Sequence, residues 1–210
     1  MSVNLTHIGE VLSARMVNAM RWSFIELCGL EDIAEKKFIS NRHYPIAFPN
    51  AKLIPPSGLR FDGESRVDLV VMVREKLGVP FELKLGKTCL SKKHVDEKWL
   101  SDCKFTHGNA CISGRMMAIL DRRFPPMNRE YALSVLINDR PVTLTRDWFI
   151  LARAKVAQKW TGNARPALSH LVRFIPFESM VQNYGGRMAF NALVRDIVSF
   201  DYFEKWVASS

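Results

Sequence analysis

Residues 66–73 read Arg-Val-Asp-Leu-Val-Val-Met-Val, an apolar, β-branched run broken by a single carboxylate. Composition of this kind favours a strand, and apolar residues at both odd and even positions mean that both of its faces are covered. A strand covered on both faces needs a layer on each side, which directs the chain towards an α/β arrangement. Asp68 is costly in that setting unless it gains a hydrogen-bonding partner or a metal ion.

A second run, Val79 to Leu85, reads Val-Pro-Phe-Glu-Leu-Lys-Leu and follows a polar link containing Arg74, Glu75, Lys76 and Gly78. The short link predicts an antiparallel pair of strands. Alternation puts Glu82 and Lys84 on one face, with Phe81, Leu83 and Leu85 on the other. If the two strands pair, Asp68 and Glu82 can converge on one cation, and carboxylate oxygens with waters and a phosphate oxygen are the shell that Mg²⁺ prefers. The residues alone also allow Glu82 and Lys84 to form an ion pair on a solvated strand face.

The chain has 210 residues, enough for one sizeable core, and residues 1–210 carry no linker or repeat that would mark a second domain. Leu5 to about Leu30 has helical apolar spacing and predicts one long helix closed by Gly29. Ser40 to Glu64 contains Pro45, Pro49, Pro55, Pro56, Gly58 and Gly63, which predicts a loop-rich connection with short extended pieces such as Tyr44 to Phe48. Lys92 to Asp102 and Asn109 to Asp121 read as helices, Tyr131 to Ile137 as a strand and Arg146 to Trp160 as a helix. Leu171 to Pro176 reads as a last strand, Gly185-Gly186 as a turn and Arg187 to Phe200 as the closing helix. The expected fold is α/β, a mixed central sheet of about four to five strands flanked by helices.

A helix bearing a Glu, a strand with Asp68, a turn and a strand with Glu82-Leu83-Lys84 together resemble the PD-(D/E)xK, restriction-endonuclease-like nuclease superfamily. The resemblance covers roughly the first 140 residues in element order. It implies a restriction-endonuclease-like core and hydrolysis of DNA phosphodiester bonds, with Asp68, Glu82 and Lys84 as catalytic residues. It implies Mg²⁺, with Mn²⁺ able to substitute, held by Asp68, Glu82, the main-chain carbonyl of Leu83 and a first-helix glutamate. That glutamate is Glu10, with Glu26 as the competing choice. A Glu10 placed in the first helical turn is alternatively explained by the helix macrodipole. Val67 stands where the motif's Pro would be. Restriction, phage defence, repair and mobile-element processing are all compatible roles.

Thirty Lys and Arg against 21 Asp and Glu give a formal net charge of +9, which suits a polyanionic partner. Lys87, Lys92, Lys93, Arg122 and Arg123 follow the motif strands and are candidates for nucleic-acid contacts. The N-terminus lacks a secretory pattern and no window is apolar for the length of a membrane span, so a cytoplasmic, membrane-free protein with reduced thiols is expected. A homodimer or a place in a larger complex is compatible with the sequence. Two rivals stand beside the nuclease: an inactive nuclease-fold protein that binds nucleic acid or serves as a structural subunit, and a zinc-stabilised protein using Cys89, His94, Cys103, His107 and Cys111.

Overall fold

The computed structural model describes residues 5–34, 44–54, 66–85, 130–145, 148–154 and 172–209. Within them lie helices α1 (Leu5–Met20), α2 (Trp22–Cys28), α3 (Phe177–Asn183) and α4 (Gly186–Ser209). The strands are β1 (Ile46–Ile54), β2 (Arg66–Arg74), β3 (Leu77–Lys84), β4 (Glu130–Ile137), β5 (Arg140–Thr145), β6 (Trp148–Ala152) and β7 (Val172–Pro176). The chain is therefore mixed α/β, with seven described strands where about four to five were expected.

The strand order is β2-β1-β4-β5-β3-β6-β7, and β2 also pairs with β3. That extra pairing closes β1 to β5 into a small barrel, from which β6 and β7 continue as a parallel extension. β3 belongs to both parts. Its start, Leu77 and Gly78, pairs with β5, while Phe81 to Lys84 pair with β6. Pro80 falls at the fork between these two neighbours, where a residue lacking an N–H removes no ladder bond.

Two apolar clusters follow from this layout. One consists of strand residues inside the barrel, including Leu53, Val67, Val70, Met72, Leu133, Val135, Val142 and Leu144. Gly78 completes that interior: a Cβ there would stand 2.6 Å from Val70 Cγ1 and 3.3 Å from Val142 Cγ1. The other cluster lies between the outer face of the sheet and the helices, and joins Met16, Val17, Phe24 and Ile25 to Leu69, Val71, Phe81, Phe149 and Leu151. Phe81 sits between Phe24 of α2, 5.5 Å away, and Phe149 of β6, 5.0 Å away. Side chains of this size contribute about 1.5–3 kcal/mol each when fully buried.

The antiparallel β2–β3 pair, the β4 strand, the strand at Val172–Pro176 and the closing helix match the sequence expectations. So does Gly29, which caps α2 in the left-handed conformation at φ 63°. Several expectations are corrected. The single helix from Leu5 to about Leu30 is two helices, broken at Arg21 with φ 51° and ψ −114°. The stretch 40–64 contains the nine-residue strand β1, which tolerates Pro49 and Asn50 within it. Residues 148–152, expected within a helix, form β6 between β3 and β7. Trp-Phe-Ile-Leu-Ala is apolar at every position, so helical spacing can be drawn through it although a parallel strand buried on both faces suits it equally. β5 and α3 are additional elements. The β4–β5 turn places Asn138 and Asp139 at φ 49° and 59°, the pair of positive φ values of a type I′ hairpin.

Candidate functional site

β2 and β3 are in register with Leu69 opposite Phe81 and Val71 opposite Val79. Continued one step, the same register sets Asp68 opposite Glu82. The main-chain ladder stops short of that step, and the Asp68 side chain takes over: Oδ2 accepts a hydrogen bond from the Leu83 N–H at 2.8 Å. Beyond this level β3 pairs with β6 and no longer with β2. In a strand the N–H and C=O of one residue point to the same edge, so the Leu83 carbonyl is directed to the β2 side, where Asp68 lies.

The alternation of β2 also slips at Asp68. Val67 and Val70 both join the barrel interior, while Leu69 joins the helix-covered cluster. β1 slips at the same level, with Phe48 and Ala51 on the interior side. The residue between the two pairs Pro49↔Leu69 and Ala51↔Val67 is Asn50, which adopts φ 54°. Asn tolerates this left-handed conformation better than most residues. Asn50 thus stands opposite Asp68 on one side as Glu82 does on the other. Two strands lose their regular alternation at one level, where the β2–β3 ladder also ends, and a half-buried carboxylate lies at that level.

Glu82 is 1% exposed. The alternative of a solvated strand face therefore does not hold for it. Lys84 ends β3. Glu10 lies in the second turn of α1, which has no acidic residue in its first turn, and it is 7% exposed. The macrodipole explanation fails on that position. Gly9, next to it, lies close to Leu85, since a Cβ there would be 3.2 Å from Leu85 Cδ1. The start of α1 thus packs near the end of β3. Glu26 instead is exposed and accepts a hydrogen bond from Trp22 Nε1 at 2.7 Å.

Among the described residues, no three His, Cys, Asp or Glu side chains gather closely enough to hold a metal ion. Glu10, Asp68 and Glu82 therefore do not form a ready-made cage. Two carboxylates at neighbouring strand positions with a main-chain carbonyl between them nonetheless suit magnesium by their chemistry: it keeps several waters and is commonly bound by one or two carboxylates plus phosphate oxygens of the substrate. Lys87, Lys92, Lys93, Arg122 and Arg123 lie outside the described residues, as do Cys89, His94, Cys103, His107 and Cys111 and the two helices expected between 92 and 121. Cys28 is a buried free thiol. No described helix is long and apolar enough to cross a membrane.

Nothing in the strand patterns singles out Asn50 as the residue opposite Asp68; an Asn following a Pro reads as a loop until the register is known. No protein-family profile, curated protein or solved structure matches this chain.

Proposed function

We propose that the chain is a metal-dependent nuclease with a restriction-endonuclease-like core, hydrolysing phosphodiester bonds in DNA. Asp68 and Glu82 are its acidic pair, Leu83 a main-chain ligand and Lys84 its catalytic lysine, with Glu10 a further buried carboxylate at the same end of β3. The observation that carries this reading is the hydrogen bond from Leu83 N–H to Asp68, next to the buried Glu82, one step past the end of the β2–β3 ladder. Regular strand pairing would have filled that space with main-chain bonds.

When bound, magnesium lowers the pKa of a coordinated water and neutralises charge on the phosphate. Asp68 and Glu82 supply its negative countercharge from one gap between strands. The bond from Leu83 N–H fixes the Asp68 carboxylate, so that Oδ1 keeps a set direction. Lys84 holds a positive charge near the oxygen that becomes negative as the phosphorus–oxygen bond breaks.

The test is cleavage of plasmid and single-stranded DNA with Mg²⁺ or Mn²⁺ by the wild type, Asp68→Asn and Glu82→Gln. Metal-dependent cleavage by the wild type, lost in both variants, is expected. Cleavage that survives both substitutions overturns the assignment.

One observation favours a second reading. Asp68 already spends Oδ2 on a main-chain amide, which is what a purely structural carboxylate would do at a ladder end. On that reading the protein binds nucleic acid or supports a larger assembly without turnover. A wild type that binds DNA and fails to cleave it with any divalent metal supports this second reading.

A further inference from the structure

Register places Lys52 of β1 directly opposite Arg66 of β2, and both are exposed. Arg66 is also tied down: its Nη1 donates to the main-chain carbonyl of Asn50 at 3.1 Å. Asn50 is the residue opposite Asp68, so this bond draws the guanidinium back along the strand to the level of the acidic pair. A fixed guanidinium, with a lysine at the facing register position, thus stands on the exposed outer face of β1 and β2 at the level of Asp68.

We infer that Arg66 and Lys52 form the phosphate-holding margin of the site, gripping the sugar-phosphate backbone of the nucleic-acid strand on which the acidic pair acts. The inference takes its substrate from the nuclease reading. Charge complementarity selects the occupant: a phosphate matches a planar guanidinium flanked by an ammonium, and the chain carries a formal net charge of +9. Contacts of this type carry no base information, so the margin reads backbone and not sequence. On the β4 and β5 side the row continues without a charge: Leu136 stands opposite Lys52, and Pro141 opposite Leu136.

The experiment is fluorescence anisotropy of labelled duplex and single-stranded DNA with the full chain and no divalent metal, over a range of salt concentrations. It compares the wild type with Lys52→Gln, Arg66→Gln, the double variant and Arg195→Gln, which alters an exposed arginine on α4. Each margin substitution is expected to lower the salt slope by about one unit, equivalent to roughly tenfold weaker binding at ~0.1 M salt, while Arg195→Gln leaves the slope unchanged. Unchanged binding by the double variant overturns the inference. So does an equal loss in Arg195→Gln, which would mean diffuse charge, or equal displacement by polyglutamate, which would mean an acidic protein partner. Because binding is measured without metal, a failure of the nuclease reading appears separately, as a wild type that binds normally and cuts nothing.

Discussion

Asp68 has one duty that the structure shows and a second that the proposed function assigns to it, and two substitutions separate them. Asp68→Ala removes both the charge and the acceptor of the Leu83 N–H, which lies 2.8 Å from Oδ2. Asp68→Asn keeps an acceptor oxygen in the same position and removes only the charge. A hydrogen bond to a charged group contributes about 1.5–3 kcal/mol. The bond is part-buried, so water can partly replace the lost acceptor, and the cost of Asp68→Ala is set at the low end, about 1.5 kcal/mol. A neutral acceptor is about half as strong as an ionised one, so Asp68→Asn is expected to cost about 0.7 kcal/mol. Urea unfolding followed by circular dichroism resolves the difference. A change of ~1 kcal/mol at this chain length also moves Tm by about 2–4 °C. Cleavage should be lost in both variants, since both remove the charge. Equal stability of Asp68→Ala and wild type would refute the ladder-end role of the carboxylate. Loss of stability in Asp68→Ala with full cleavage in both variants would refute its metal-binding role and leave the structural one.

Gly78→Ala should destabilise by about 1–3 kcal/mol, read by urea unfolding, because the new Cβ meets Val70 Cγ1 at 2.6 Å inside the barrel. Phe81→Ala removes the ring between Phe24 and Phe149 and should cost about 3–5 kcal/mol in the same assay. Cys28 has its thiol pKa pushed well above 9.0, first by burial and then by Glu31, with Arg173 opposing. The unfolded thiol therefore loses its proton first: the stability contribution is whole below about pH 9 and falls by up to about 1.4 kcal/mol per unit as pH rises above it. Urea midpoints measured across that range should fall more steeply for the wild type than for Cys28→Ala, and parallel profiles would exclude the thiol as the cause.

What could be read from the sequence was what local chemistry decides. Val-Asp-Leu-Val-Val-Met-Val can hardly be other than a covered strand, and the short polar link to Val-Pro-Phe-Glu-Leu-Lys made its antiparallel partner legible. Burial of Glu82 was not legible, because a Glu between Phe81 and Leu83 alternates as well in a half-exposed strand as in a covered one. β6 was misread for a related reason: an unbroken apolar run carries no period, and only its neighbours β3 and β7 decide its conformation. β1 hid behind Pro49 and Asn50, residues that normally end a strand and here sit inside one because the alternation slips at that point. Barrel closure depends on β1 meeting β2 and β4 at once, a long-range pairing that no local window contains.

The slip at Asn50 and Asp68 and the fork at Pro80 bear on one another. β3 has to leave β5 and join β6, and it does so at a residue with no N–H to pair. Past Phe81 the barrel has one wall fewer, since β2 and β3 no longer pair there. The barrel thus opens at the level of Asp68 and Glu82. A carboxylate in the unbroken part of the barrel, among Val70, Val142 and Leu144, would meet only hydrocarbon and would bear the full cost of its charge. At the open end it finds an amide donor in Leu83. Barrel closure therefore confines Asp68 and Glu82 to this one level of the sheet. A substitution that restores regular pairing there, such as Asn50→Val on β1, should raise the strand character of β1 while moving Arg66 away from its carbonyl anchor. Weaker DNA binding together with a loss of stability is the expected result, because a β-branched residue is strained at φ 54° and relieving it turns interior residues of β1 outward. Unchanged binding would uncouple the strand slip from the basic margin.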